Sequence, residues 1–210
     1  MGEKLLLLGY RQGGLRAAKK LGIKVDLACL DNEAPAQSSA ERIFKCANEE
    51  DLLELILDSA GSGLTSYRAV LALTEKFVPL AGKLRELWGL SGMGEEAAIA
   101  CHFKPRMKEV ANRGNIQTSQ YLVIKSDTSV EDIIGSWGWP LVVKEASLSG
   151  SRGLSICQNR SELLEAWRPG KLVEAFIRGR EMSIESFLWR GQIYLTNFTS
   201  YYRHLEMNII

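Results

Sequence analysis

The sequence lacks the features that would assign the chain to a membrane or to nucleic acid. Apolar runs such as Leu5–Leu8 and 69–73 are far shorter than the roughly 20 residues needed to span a bilayer. Lys and Arg number 26 against 25 Asp and Glu, so no basic excess exists to neutralise a phosphate backbone. We therefore expect neither a membrane nor a nucleic acid as a partner.

Cysteine is also scarce, and its four copies are widely spaced, at Cys29, Cys46, Cys101 and Cys157. None of them forms the close pair that is typical of zinc or redox motifs. We expect each to be a small buried residue in a reducing compartment. The first residues lack the long apolar segment and cleavage site of a secretory signal. Together these absences predict a cytoplasmic protein.

The first part of the chain has the pattern of a parallel sheet. Strand-like runs at Lys4–Leu8 and Lys24–Leu30 flank a glycine turn and a helical pattern, which is typical of a βαβ unit. Further strands are predicted at 42–46 and 68–73, and helices at 49–58, 78–88 and 95–102. We expect a Rossmann-like domain over residues 1–102.

After residue 102 the pattern changes to short mixed elements. Helices are predicted at 104–113, 130–137 and 161–167, and strands at 120–124, 140–144, 154–157, 172–177, 181–188 and 192–197. Adjacent hairpins with tight turns are typical of α+β organisation. The sequence therefore predicts a second domain over residues 103–210, and an α/β protein overall.

The glycine turn after the first strand allows two interpretations. A dinucleotide site needs Gly-x-Gly-x-x-Gly so that a pyrophosphate can approach the backbone at a helix N-terminus. In Gly9-Tyr-Arg-Gln-Gly-Gly14 the spacing differs, although Asp31 follows the second strand where a ribose-binding acid would lie. We favour a structural turn and a solvated Asp31.

A more specific pattern begins at the buried run that ends in Lys144. An unpaired ammonium is costly to bury, so Lys144 needs a reason to point inward. The Ser/Gly loop that follows, 147–153, offers backbone N–H groups and hydroxyls suited to phosphates. An ordinary hairpin connection with Lys144 in solvent is the alternative, and this segment alone does not decide between them.

Two acids extend the pattern. Glu174 ends an apolar strand, and Glu181 begins another after a turn at Gly179. The exposed backbone over 174–176 can supply the donor and acceptor that an adenine edge needs. The carboxylate of Glu181 can accept two ribose hydroxyl protons. The alternative for each acid is a solvated position at a strand end.

The order of these segments resembles the ATP-grasp superfamily. The resemblance rests on Lys104-x-x-Met-Lys108, Gly114-Asn-Ile-Gln-Thr118, Pro140-Leu-Val-Val-Lys144, the Ser/Gly loop and Val173-Glu-Ala-Phe-Ile-x-Gly-x-Glu181. Leu73-Thr-Glu-Lys-Phe-Val-Pro79 and Gly89-Leu-Ser-Gly92 resemble the preceding domain of carboxylate–amine ligases of the carnosine-synthase-like and L-amino-acid-ligase-like type. The resemblance implies a pre-ATP-grasp domain followed by the nucleotide-binding lid subdomain.

The resemblance also implies roles for individual residues. Lys104 would approach the phosphates, although Phe103 stands where the family often has an acid, and Lys144 would approach the α-phosphate and adenine. The loop residues Ser147, Ser149, Gly150, Ser151 and Gly153 would cover the β- and γ-phosphates. Glu174, Ala175 and Phe176 would line the adenine, and Glu181 would bind the ribose. No catalytic residue or metal ligand is assigned within the chain, because the family's Mg²⁺ ligands lie on later strands.

The implied reaction is phosphorylation of a carboxylate by ATP, followed by attack of an amine on the acyl phosphate. We expect a carboxylate–amine ligase in its full-length form, with ATP and Mg²⁺ as cofactors and small carboxylates and amines as substrates. This chain would be its N-terminal half and inactive alone. The alternative is a nucleotide-binding or interaction module without catalysis. A sheet that ends in an open edge also favours a homodimer.

Overall fold

The computed structural model describes residues 4–33, 35, 38–60, 67–147 and 153–201. By its internal contacts the chain divides into two compact units, Met1–Ile116 and Gln117–Ile210. The change in sequence pattern predicts a boundary at 102/103 instead. The helix between these two positions, Lys104–Arg113, contacts the helix before it and so falls in the first unit.

The first unit is a four-stranded parallel sheet with helices. Its elements are β1 (Lys4–Leu8), α1 (Gln12–Lys20), β2 (Lys24–Leu30), β3 (Ile43–Cys46), α2 (Glu49–Ala60), β4 (Tyr67–Ala72), α3 (Val78–Leu87), α4 (Glu95–His102) and α5 (Lys104–Arg113). The strand order is β3-β2-β1-β4, and every neighbouring pair is parallel. The predicted Rossmann-like sheet is confirmed.

The leucine run of β1 is continuous because both faces of this sheet are covered. Leu6 and Leu8 pack into the core that holds Leu52 of α2, whereas Leu7 packs on the opposite face with Leu15 of α1. A strand that is buried on both faces has no polar side, which explains why β1 does not alternate.

The glycine turn after β1 serves packing. Gly9 has φ +81, and a Cβ atom there would lie 2.4 Å from Oγ1 of Thr74. A Cβ atom on Gly14 would lie 2.7 Å from Leu73. Both glycines therefore let the start of α1 approach the segment after β4. Asp31 lies exposed in a short 3₁₀ turn, so the structural interpretation of this motif is the one supported.

The second unit contains a four-stranded antiparallel sheet and a separate hairpin. Its elements are β5 (Tyr121–Val123), α6 (Val130–Trp137), β6 (Leu141–Lys144), β7 (Ser155–Cys157), α7 (Arg160–Ala166), β8 (Leu172–Ala175), β9 (Met182–Trp189) and β10 (Gln192–Ser200). The order in the sheet is β5-β8-β6-β7, and β9 pairs only with β10 among the described strands. The predicted α+β organisation is confirmed.

Side-chain caps begin both helices of this unit. The Ser129 hydroxyl accepts the N–H of Asp132 at the start of α6, and the Asn159 amide oxygen accepts that of Glu162 at the start of α7. The two helices pack on one face of the sheet around Ile133, Leu163 and Val143. These two helices do not cover the other face of the sheet.

The cysteines are all free thiols, but they are not all buried. Cys29 and Cys157 are buried, and burial raises the pKa of the Cys157 thiol to about 11. Cys46 is half-buried and Cys101 is exposed. The expectation of four buried cysteines is therefore wrong for Cys101, which lies on an outer face of α4.

In the described part of the chain, no helix is long and apolar enough to cross a membrane.

A buried carboxylate links the amino ends of three strands in the first unit through hydrogen bonds and an ion pair. Asp26 of β2 is fully buried, and its Oδ2 accepts from the Tyr67 hydroxyl at 2.7 Å and from Arg42 Nε at 2.9 Å. Its Oδ1 lies 3.4 Å from Lys4 Nζ. Burial raises the pKa of Asp26, but the hydrogen bonds from Tyr67 and Arg42 outweigh it and hold this pKa below its ordinary value.

We expect Asp26→Asn to lower the free energy of unfolding at pH 7 by roughly 1.5–3 kcal/mol, the range for a charged hydrogen bond. The folded state favours ionised Asp26, so its stabilisation is present above the unfolded pKa of about 3.9 and is lost as the pH falls through the lower folded pKa. Urea unfolding of the two proteins should therefore converge only below the folded-state pKa of Asp26, which lies under its ordinary value.

Asp58→Asn makes the same chemical change at an exposed position of α2. This control should shift the free energy of unfolding by no more than about 0.5 kcal/mol. A deficit in Asp26→Asn that stayed constant from pH 7 to pH 3 would mean that packing, not charge, is the source of the loss.

Candidate functional site

The second unit has a cavity of about 380 Å³ over one face of β6 and β8. Apolar side chains form most of its wall, and four charged side chains reach it. The apolar group includes Val142, Leu154, Ile156, Phe176, Ile177 and Met182, and the charged group is Lys144, Glu174, Arg180 and Glu181. An apolar cleft with a few converging polar groups is the usual form of a small-molecule site.

Strand alternation decides which side chains face the cavity. In β6, Leu141 and Val143 point into the core beneath α6 and α7, so Val142 and Lys144 point to the cavity. In β8, Val173 belongs to the core and Glu174 to the cavity. The antiparallel register pairs Val142 with Glu174, which places Lys144 diagonally across from that acid.

Lys144 and Glu174 form an ion pair within the wall of the cavity. Lys144 Nζ lies 2.9 Å from Glu174 Oε1, and their side chains are 21% and 8% exposed. The Ser119 hydroxyl donates to Glu174 Oε2 at 3.0 Å, and Ser119 is itself buried. The alternatives of a solvated Lys144 and a solvated Glu174 do not fit this arrangement, because both side chains are mostly enclosed.

The structure brings together five of the residues predicted for the site. Lys144, Glu174, Ala175, Phe176 and Glu181 all line the same cavity. They come from β6, from β8 and from the segment between β8 and β9, and the antiparallel pairing of β6 with β8 places the first two next to each other.

The described loop residues Ser147 and Gly153, and Lys104, are not among the residues that line this cavity. Ser147 and Gly153 are exposed at the two ends of the loop, and Ser149, Gly150 and Ser151 fall outside the described residues. Gly153 has φ +67, and a Cβ atom there would lie only 2.9 Å from Glu145 Cγ, so this position favours glycine. Lys104 is half-buried at the start of α5 in the first unit.

Backbone hydrogen bonds limit which N–H groups at the end of β8 are available to a ligand. The N–H of Ala175 donates to the carbonyl of Gln120, and that of Phe176 donates to the carbonyl of Pro140. Both N–H groups are therefore occupied within the sheet. Among the residues that the structure describes, the N–H of Ile177, one residue beyond the predicted stretch of 174–176, makes no backbone hydrogen bond.

Several cavity residues were not predicted from the sequence. Ser119 precedes β5 and reaches Glu174 only because β8 inserts beside β5, a pairing with no local signal. Ile156 could have been predicted, since it alternates with the buried Cys157 in β7. Arg180 belongs to a turn whose direction the sequence pattern does not indicate.

The acids near the cavity do not by themselves form a metal site. Glu174 is already engaged by Lys144 and Ser119. Throughout the described ranges, no group of three or more His, Cys, Asp or Glu side chains could hold a metal ion. Magnesium needs an octahedron of oxygens, which these residues alone do not supply.

Comparisons with known proteins identify relatives of this chain. The chain is 26% identical over 189 residues to the D-alanine–D-alanine ligase of Pseudomonas fluorescens, covering 82% of this chain and 54% of that protein. It is 25% identical over 171 residues to the formate-dependent phosphoribosylglycinamide formyltransferase of Prochlorococcus marinus, covering 79% of this chain and 43% of that protein. The chain thus spans about half the length of these relatives.

The fold is shared with solved ATP-grasp structures. The L-amino acid ligase of Bacillus licheniformis superposes with a TM-score of 0.74 at 20% identity, covering 95% of this chain and 51% of that one. The family model of the carbamoyl-phosphate synthase L chain, ATP binding domain, matches residues 101–210. That match takes in the entire second unit with its cavity. It covers more than half of the chain, and the chain therefore belongs to this ATP-binding family of the ATP-grasp superfamily.

Proposed function

We propose that the cavity of the second unit binds the adenosine part of ATP. The observation that carries this proposal is the enclosed Lys144–Glu174 pair in the wall of a largely apolar cavity. The lining includes the paired Val142 and Ile156 together with Met182, so a flat base would have apolar groups to pack against. The family match supports ATP as the nucleotide.

The edge of the adenine would meet the segment from Glu174 to Ile177. The exocyclic amine is a donor, and the Glu174 carboxylate in the cavity wall would be its acceptor. A ring nitrogen is an acceptor, and the N–H of Ile177 is the donor in reach along this segment. Glu181, at the cavity wall, would accept the ribose hydroxyl protons.

The phosphates would be held by cations. Lys144 has its ammonium group at the cavity, where a carboxylate on one side leaves its other N–H groups for a phosphate oxygen. We propose that Lys104 and the loop of residues 147–153 act on the more distant phosphates. Mg²⁺ stays a prediction.

For the whole protein we propose a carboxylate–amine ligase. ATP would transfer its terminal phosphoryl group to a carboxylate oxygen, ADP would leave, and an amine would then displace phosphate from the acyl carbon. Fixed cations stabilise the charge that spreads over the transferring phosphoryl group. The D-alanine–D-alanine ligase and L-amino acid ligase among its relatives support this reaction type.

We also propose a cytoplasmic location, which four free thiols support. Homodimer formation stays a prediction. The alternative of a binding module without catalysis is tested by the same experiments that test the ligase.

Lys144→Met should weaken ATP binding by roughly 1.5–3 kcal/mol, which is about a tenfold to 150-fold rise in Kd, because a charged hydrogen bond to phosphate is lost. Isothermal titration measures this directly. Lys125→Met alters an exposed lysine of the same unit and should leave Kd unchanged. Equal affinities for all three proteins would remove Lys144 from the nucleotide site.

Glu181→Ala should abolish discrimination between ribose and dideoxyribose. The parent chain should bind ATP more tightly than 2′,3′-dideoxy-ATP by roughly 1.5–3 kcal/mol, since a carboxylate accepts the hydroxyl protons. In the variant the two ligands should bind alike. Glu185→Ala, on the exposed part of β9, is the matched control. A preference for the ribose that survived in Glu181→Ala would assign the sugar to another residue.

The full-length protein should form an acyl phosphate. Hydroxylamine attacks an acyl phosphate to give a hydroxamate and free phosphate, so ADP and hydroxamate should accumulate together when ATP, Mg²⁺ and an accepted carboxylate are present. Lys144→Met should suppress both products. ATP binding without hydroxamate, across a panel of amino acids and other carboxylates, would favour the non-catalytic module.

A further inference from the structure

Ser119 is a buried polar residue beside the proposed adenine site. It lies two residues before β5, and only 9% of its surface is exposed. Its hydroxyl donates a hydrogen bond of 3.0 Å to Glu174 Oε2, whose own residue is 6% exposed. Both residues line the cavity, so this hydrogen bond lies at the ligand site and not in the core below the sheet.

The two oxygens of Glu174 are held from different directions. Lys144 Nζ contacts Oε1 at 2.9 Å, and the Ser119 hydroxyl contacts Oε2 at 3.0 Å. A carboxylate is planar, and its terminal torsion is otherwise broad, so one contact leaves the plane free to rotate. Contacts on both oxygens fix that plane. Each carboxylate oxygen has two lone pairs.

The position of Ser119 depends on the strand order. β8 lies between β5 and β6, with Glu174 paired to Tyr121 on one side and to Val142 on the other. Lys144 thus approaches the carboxylate from the β6 side and Ser119 from the β5 side. Neither strand alone could hold both oxygens.

We propose that Ser119 is a positioning residue that sets the plane of the Glu174 carboxylate and thereby the preference for a base with an exocyclic amine. This inference rests on the proposed binding of adenine in the cavity. An amine donates its proton along a defined direction, so a rotated carboxylate accepts it poorly. A base without the amine gains nothing from the alignment.

The decisive comparison uses two nucleotides that differ only at the amine. Purine riboside triphosphate has the ring, ribose and phosphates of ATP but no exocyclic amine. The parent chain should bind ATP more tightly than this analogue. In Ser119→Ala, the Kd of the analogue divided by the Kd of ATP should fall by roughly three- to tenfold, because the effect of one hydrogen bond is lost. Titration calorimetry of each protein with each nucleotide provides the ratio.

Three further variants separate positioning from simple packing. Ser119→Thr keeps the hydroxyl and should show the same ratio as the parent chain. Ser136→Ala removes an exposed serine of α6 and should leave it unchanged. In a Glu174→Gln background, Ser119→Ala should not lower the ratio further, because the carboxylate that it orients is gone. A purely structural Ser119 would weaken both nucleotides equally and leave the ratio as it was.

The outcomes distinguish this inference from the proposed function. An unchanged ratio in Ser119→Ala, with amine preference intact in the parent chain, overturns the role of Ser119 and leaves adenine binding standing. Binding of neither nucleotide by the parent chain overturns both. Melting curves of Ser119→Ala and Ser119→Thr ensure that folded proteins are compared.

Discussion

The enclosed ion pair of Lys144 and Glu174 is the constraint on which the second unit depends. Removing either charge would take away the ion-pair partner of a mostly enclosed group, which is destabilising. The pair exists only when β6 and β8 keep their observed register, with Val142 opposite Glu174. A shift of one residue would turn Lys144 into the core beneath the helices, so the charges specify the register as strongly as the apolar pattern does.

The two units use buried charge for different purposes. In the first unit, Asp26 is fully buried and contacts three side chains of the same unit, Lys4, Arg42 and Tyr67. Its hydrogen bonds and ion pairs join strands of this unit. Glu174 is nearly as buried, yet its carboxylate borders an apolar slot. Polar groups that converge on an apolar cavity are the arrangement typical of a small-molecule site.

The local sequence pattern was sufficient to predict the helices and strands, but it was insufficient to predict which strands pair. The strand predicted at Lys24–Leu30 has those same bounds in the structure, because a run buried on both faces between two turn signals has few alternatives. The strand predicted at 172–177 ends at Ala175, since the chain then leaves β5 and turns toward the cavity. The acids and the lysine of the site were predicted, whereas Ser119 was not. Its contact with Glu174 arises from the insertion of β8 between β5 and β6, which no short stretch of sequence encodes.

That insertion also has a consequence for the order of events during synthesis. β5 leaves the ribosome first, but its only sheet neighbour among the described strands is β8, and Val123 must wait for Leu172, 49 residues later (172 − 123). At roughly 5–20 residues per second this interval lasts about 2–10 s. During it, β6 and β7 can already form their local hairpin, while β5 has an unpaired edge. The nascent chain therefore completes the wall of its cavity in one late step, when β8 enters between strands that were made before it.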